Sequence, residues 1–389
     1  MKILHVNVAG IVDRFYDSFF HSLAEEREIK QYVYIPFKSS DVKTEDLRRM
    51  DRYDKNIEVL LSPIKTSKDR LMYFSKISKY FIDVQKKIPQ LNNIDVIHAH
   101  SLYTDGGVAY KLHNKFGIPY VVAVRTTDTN IFLKYFVHLR PFMKKILLNA
   151  SRVIFINPNL KQILERKIHD RELINILNKK ATILPNGVDQ FWIDNIYYRQ
   201  QLNSSKIKLI HVGKLVKKKN QQATLNATKE LIDRGYDVEV DIVGDGEDRD
   251  KLESLSRKLQ ISNAVRFHGF IKNKEDLRSL YRKANIFILP SYTETFGIAY
   301  VEAMSQGLPV IYAKNQGIDG YFKDLDVGFS VNPDDSKGIC DAILKIRDEY
   351  HAISQRCSKN SSKFEWKGIS DAYFDIYTEI VDQHEHGFF

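Results

Sequence analysis

The chain has 389 residues, 43% of them hydrophobic and 12% aromatic, which is enough for two Rossmann-sized cores and excludes disorder. Two cysteines, Cys340 and Cys357, exclude a disulfide scaffold and cannot complete a four-ligand zinc site, so a reducing cytoplasm is the expected home. The net charge of +10 is lopsided: residues 1–200 hold 32 Lys+Arg against 21 Asp+Glu, whereas residues 201–389 hold 27 against 28. The first half should therefore face something anionic, whether nucleic acid, an acidic membrane surface or a phosphorylated ligand.

MKILHVNVAG opens the chain as an expected strand rather than a signal peptide, because His5 and Asn7 interrupt it and no small-residue cleavage site follows. Further strands are predicted at YVYIP, IEVLL, DVIHAH, YVVAV, RVIFI and ATILP. After the irregular stretch 186–206 the pattern restarts with IKLIHVG, VEVDIVG, VRFHG, IFILP, LPVIYA and GFSVN. Short, continuous apolar runs separated by helices indicate parallel sheets buried on both faces, hence two doubly wound α/β domains. No run approaches the ~18 apolar residues of a membrane span.

Open parallel sheets bind ligands at the carboxyl ends of their strands, and several segments there carry chemistry. In NIFILPSYTETFGIAYVEAMSQGLPVIYA a strand leads through a polar loop to a helix predicted to begin near Phe296–Gly297. Glu294 lies ahead of that helix and Glu302 in its second turn. A helix N-terminus favours a phosphate or sugar oxygen, and two fixed carboxylates can accept hydrogen bonds from vicinal hydroxyls. Lys214, Lys217, Lys218 and Lys219 follow IKLIHVG directly, where cations stabilise a leaving diphosphate. Gly244 and Gly246 lie between a strand and a helix, without the full dinucleotide fingerprint, which speaks against NAD. His98 and His100 end a strand near Asp105, but His–x–His without a third ligand predicts no metal site. The stretches 68–87 and 132–152 are read as two helices mixing Lys and Arg with Phe, Tyr, Leu and Met, a composition suited to an anionic lipid surface. Phe136, Phe142 and Leu147 are the candidate apolar anchors there, and Lys134, Lys144 and Lys145 the candidate basic contacts.

The arrangement Glu–x–Phe–Gly, Glu–Ala–Met and Gly–x–Pro–Val closely resembles the donor-site signature of the retaining glycosyltransferases of family 4, which have the GT-B fold. HVGKLVKKKN, VDIVGDGED, VRFHGFIKNKEDLRSLYRKANIFILPS, NPDD, LPNGVD and FEWKGISDAYFDIYTEI resemble the family's other landmarks. The likeness is strong over most of 180–380 and loose before it. It implies a Rossmann-like acceptor domain at 1–190, a nucleotide-sugar donor domain at 206–365, and a closing helix in 366–389 that returns to the first domain.

It also implies transfer of a sugar from a nucleotide-sugar, UDP by base rate, to a glycan or lipid-linked glycan acceptor in bacterial surface polysaccharide synthesis. Anomeric configuration would be retained without an essential metal or cofactor, in the cytoplasm or at the inner face of the plasma membrane. An anionic membrane surface is an expected partner and nucleic acid is not. Donor contacts carried over by resemblance are Gly10, Lys214, Lys219, Gly244, Phe270, Ile271, Glu294, Phe296, Gly297, Ile298 and Glu302. Lys219, Glu294 and His100 would be catalytic, with His100 pointing at the donor sugar across the interdomain cleft. Arg125, Thr127 and Asp128 would lie on the acceptor side. The family usually has an arginine where this chain has Lys214, which keeps the charge but loses the bidentate fork, and paired glycines where it has only Gly10. The rival readings are a sugar-nucleotide epimerase of the same fold and a polyanion-binding protein.

Overall fold

A computed structural model describes residues 1–8, 15–25, 27–41, 55–70, 72–168, 170–199 and 205–386, and the donor contact expected of Gly10 lies outside them. The chain divides into two units, one formed by residues 1–156, 160–185 and 366–389, the other by residues 157–159 and 186–365.

All thirteen predicted strands form, and every pairing between them is parallel. The first unit holds β1 (Lys2–Val6), β2 (Lys30–Pro36), β3 (Ile57–Ser62), β4 (Val96–Ala99), β5 (Tyr120–Val124), β6 (Arg152–Phe155) and β7 (Ala181–Ile183), in the order β3-β2-β1-β4-β5-β6-β7. The second holds β8 (Ile207–Val212), β9 (Val238–Val243), β10 (Val265–Gly269), β11 (Ile286–Leu289), β12 (Val310–Ala313) and β13 (Gly328–Val331), in the order β10-β9-β8-β11-β12-β13. Strand order reverses between β1 and β4 in one sheet and between β8 and β11 in the other. Each reversal opens a crevice beyond the carboxyl ends of those strands, because the flanking crossovers leave to opposite faces. Central strands such as YVVAV and IFIL are buried throughout, which explains their unbroken apolar character.

The helix Trp366–Glu385 belongs to the first unit. Trp366, Ile369, Tyr373, Ile376, Tyr377 and Ile380 recur at helical spacing and are buried. They pack against the helix Phe15–Ala24 and the sheet, with Phe19 and Tyr373 edge to face at 5.0 Å and the Tyr377 hydroxyl 2.6 Å from His98 Nδ1.

The segment 132–152 is not one helix. It breaks at Phe136 and restarts as Arg140–Asn149, with Pro141 in the first turn, where its missing N–H costs nothing. No helix among the described residues is long and apolar enough to cross a membrane.

Candidate functional site

In the second unit, β8 runs out at Gly213 and the basic loop begins. Lys217–Lys219 form a single 3-10 turn, and Asn220 then adopts a left-handed conformation (φ 56°) that starts the helix Gln221–Asp233. The buried Asn220 amide donates to the carbonyl oxygens of Pro290 (3.1 Å) and Pro333 (2.9 Å), tying the lysine loop to the loops after β11 and β13. Asn220 is a positioning residue that residue-type reasoning overlooked. Its signal was an Asn, tolerant of positive φ, directly before a helical pattern.

The Lys219 ammonium forms an ion pair with Glu294 Oε2, with side chains only 18% and 10% exposed. Glu294 is itself held by backbone. Its N–H donates to Gln316 Oε1 (3.0 Å), and its carbonyl accepts from the Gly317 N–H (3.1 Å). The cation at the end of β8 and the carboxylate after β11 therefore meet at the strand-order reversal. Lys214, Lys217 and Lys218 remain exposed.

Gly244 explains why the loops after β8 and β9 lie so close. Its φ is 132°, and an added Cβ would sit 2.0 Å from the Gly213 carbonyl oxygen. The Gly213 N–H donates to Val243 O (3.0 Å) and the Leu215 N–H to Asp245 O (2.9 Å), so the two loops continue the ladder beyond the strands. The glycine is required by backbone approach within the protein. Gly244→Ala should cost on the order of 3 kcal/mol, a fall of roughly 6–12 °C in the midpoint of this unit. Scanning calorimetry reads it, and an unchanged midpoint would refute the close-approach argument.

Beside these loops lies a cavity of about 450 Å³ whose lining includes Gly213, Lys214, Gly244, Phe270, Ile271 and Leu277. Four of the sequence-predicted donor residues thus come together, and the Phe270 ring is 75% exposed. The wall is mostly apolar, with Lys214 and Asp245 its two charged members, which fits a flat base with Lys214 placed for an attached phosphate.

The helix after β11 spans Ile298–Ser305, starting one to two residues later than expected because Gly297 caps it at φ 80°. A Cβ on Gly297 would lie 2.4 Å from the Tyr300 ring, so only glycine brings the chain past Tyr300 into this turn. The Phe296 side chain is core, packed against Tyr321 and Phe364, so only its backbone can reach a ligand. Glu302 accepts hydrogen bonds from the Tyr281 hydroxyl (3.2 Å) and the Trp192 indole. Burial pushes its carboxyl up to about 7 against these bonds, and Asp189 adds to the rise. Tyr281 and Trp192 were not singled out in the sequence, since nothing local marks them as partners of a glutamate 21 or 110 residues away.

In the first unit the structure corrects several expectations. His100 is only 2% exposed, its ring stacked on His98 at 3.9 Å, with Nε2 3.0 Å from His5 Nδ1. Register explains the burial. His5 pairs with His98 across β1 and β4, and His100 follows two residues on, so all three rings share one covered face. The fold thus supplies the third imidazole that the sequence did not reveal, and the three rings present nitrogens within 4.8 Å of one another. Burial holds His5 down to about 3 and keeps His98 and His100 well below their usual range, so the cluster is neutral.

Asp128 is likewise interior. It accepts from the N–H groups of Leu102 (3.0 Å), Tyr103 (3.1 Å) and Arg125 (2.8 Å), which commits it to the loop before the helix Thr104–Phe116. Arg125 donates through Nε to the His100 carbonyl (3.0 Å), whereas Thr127 is exposed. Of the proposed membrane anchors, Leu147 is core, Phe142 is half-buried among Tyr73, Phe74 and Tyr110, and Lys144 is paired with Asp170 at 2.6 Å.

Residues 23–190 match the family model Glycosyltransferase Family 4, and residues 194–364 match Glycosyl transferases group 1. The alpha-monoglucosyldiacylglycerol synthase of Acholeplasma laidlawii is 26% identical over 75% of this chain and 77% of its own. A sucrose-phosphate synthase from Thermosynechococcus elongatus shares the fold with a TM-score of 0.75 at 17% identity, covering 98% of this chain and 99% of that one. Anabaena Alr3699/HepE, solved with UDP and glucose, gives a TM-score of 0.69 at 18% identity over 97% and 100% of the two chains. Two parallel sheets, a lysine loop paired with the first of two spaced glutamates, and family models that together span most of the sequence place this chain in family 4 of the glycosyltransferases, with the GT-B fold.

Proposed function

We propose that the protein transfers a hexosyl group from a UDP-sugar to a glycan or lipid-linked glycan, with retention of configuration and without an essential metal, at the cytoplasmic face of a bacterial membrane during surface polysaccharide synthesis. The observation that carries the reading is the gathering of Lys214, Gly244, Phe270 and Ile271 around one cavity, with the Lys219–Glu294 pair on the adjoining loops. Two similar proteins support the choice of ligands, since Anabaena HepE was solved with UDP and the Acholeplasma relative is by name a synthase of a glucosylated lipid.

In this reading Phe270 and Ile271 flank the nucleobase and Glu302 accepts from the ribose hydroxyls. Lys214 and Lys219 face the diphosphate, while Glu294 and the backbone of Phe296, Gly297 and Ile298 hold the sugar. As the bond from the anomeric carbon to the phosphate oxygen breaks, charge grows on the leaving diphosphate and the lysines stabilise it in place of a divalent ion. The acceptor oxygen bonds to the same face, and its proton passes to the departing phosphate. Calorimetry against a panel of nucleotide-sugars tests donor choice, and transfer assayed with and without chelator tests metal independence. Conversion of the sugar with no acceptor present would replace the transferase by an epimerase. Binding of no nucleotide-sugar would remove both.

A further inference from the structure

The first unit contains a cavity of about 730 Å³, larger than the one assigned to the nucleobase, and among the described residues no donor-site residue lines it. Its wall is supplied by the two aromatic-basic stretches together with Lys38, Lys65 and Val8, and Thr127 reaches its edge. Lys38, Lys65 and Lys76 line it and are half-buried, and among the described residues none of them forms an ion pair with a carboxylate. The one acid in the lining, Asp69, is already engaged by Lys79 at 2.7 Å and by Thr66. Behind it, burial pushes the Asp105 carboxyl up to about 7. Lys76 crosses the faces of Tyr73 and Phe132, donates to Thr104 Oγ1 (3.0 Å), and is brought down to about 8 by burial, so an anion beside it recovers lost solvation.

One side of this cationic cavity is apolar, while the exposed Thr66 and Ser67 also belong to its lining. Ile131 and Phe136 line it, and Phe74, Ile131, Tyr135 and Val137 stand 46–65% exposed. Phe74 joins the wall through Phe142 (5.4 Å), which meets Tyr73 (6.0 Å). Apolar side chains grouped around a basic pocket suit a phosphate at the end of an apolar chain. A water-soluble ester would leave that rim hydrated and without use.

We propose that this cavity binds the phosphate of a membrane lipid phosphate, which is the acceptor or carries it, with Phe74, Ile131, Tyr135 and Val137 seated in the bilayer interface and Lys38, Lys65 and Lys76 closed on the headgroup. The inference rests on the reading of the first unit as the acceptor unit.

The test is co-sedimentation of the whole protein with phosphatidylcholine vesicles and with the same vesicles carrying phosphatidic acid. Glycerol 3-phosphate serves as the soluble competitor. The wild type should bind the phosphatidic acid vesicles selectively. Lys65→Ala/Lys76→Met should weaken that binding roughly 25-fold, about fivefold for each lysine. Phe74→Ser/Tyr135→Ser, at exposed positions, should weaken it at least as much, and unchanged thermal midpoints exclude misfolding in both variants. Unaltered binding by the lysine variant overturns the cavity. Binding that survives the rim variant and is displaced by glycerol 3-phosphate makes the ligand a soluble ester and overturns the lipid. Calorimetry with a UDP-sugar, without vesicles, reads the donor site alone. Donor binding without vesicle binding refutes the lipid phosphate and leaves the transferase standing, and the converse result refutes the transferase reading.

Discussion

Lys219→Ala is expected to lower the turnover number by roughly 10²–10³ while weakening nucleotide-sugar binding far less, because the charge it faces grows toward the transition state. Its ammonium is paired with Glu294 in the free protein and held by a loop pinned at Asn220, so it is already in place when the diphosphate arrives. Lys217→Ala and Lys218→Ala remove exposed charges that have no ion-pair partner among the described residues, and each should change turnover less than ~3-fold. Steady-state kinetics together with calorimetric affinities separate the two effects. Equal, mild losses at 217, 218 and 219 would mean that the loop is merely solvated and that the pair with Glu294 has no part in the chemistry. Lys219→Arg should recover part of the rate, since the charge returns on a bulkier group.

The second large effect concerns Glu302. Glu302→Gln should weaken nucleotide-sugar binding roughly 10- to 150-fold, the equivalent of losing a hydrogen bond to a charged acceptor at ~1.5–3 kcal/mol. The pH dependence is the sharper test. Burial holds the free carboxyl near 7, and ribose hydroxyls donating to it favour the ionised form, so its pKa falls in the complex. Binding then releases a proton. Affinity is full above about 7 and falls as the pH drops below it, by at most ~10-fold per unit. The diphosphate of a nucleotide-sugar is a diester with no proton to lose in that range. The Gln variant should therefore bind with nearly constant affinity between about pH 6 and 8, the span around the raised value. A wild type with no slope, or a variant with the same slope, would remove Glu302 from the ribose.

Much of the architecture was legible because buried parallel strands write themselves as short runs of Val, Ile, Leu and Tyr. IFIL, VIYA and YVVAV could hardly be anything else once turns bounded them. The loop and helix start that carry Glu294, Gly297 and Glu302 were legible for a related reason, since these residues stand within nine positions of one another and their spacing is set by local structure alone. The segment 132–152 misled because hydrophobic spacing continues through Phe136 while the backbone breaks there, and spacing carries no record of ψ.

The sequence by itself determined the two α/β halves, the concentration of positive charge in the first, and the local order of the lysine and glutamate motifs, all of which follow from periodicity and counting. Only the tertiary structure decided which side chains keep their chemistry. His98 and His100 read as residues at a strand end, and the register of β1 against β4 set them beside His5 under a helix, where burial removes their charge. Asp128 read as an acceptor-side acid and is spent on three backbone N–H groups. Glu302 gained its raised pKa from burial, against the hydrogen bonds of Tyr281 and Trp192, which are distant in sequence, and Lys38, Lys65 and Lys76 came to line one cavity only when β2, β3 and the helix Tyr73–Lys87 converged. Burial and pairing depend on contacts between segments far apart in the chain, and local pattern holds no information about which of those segments will meet.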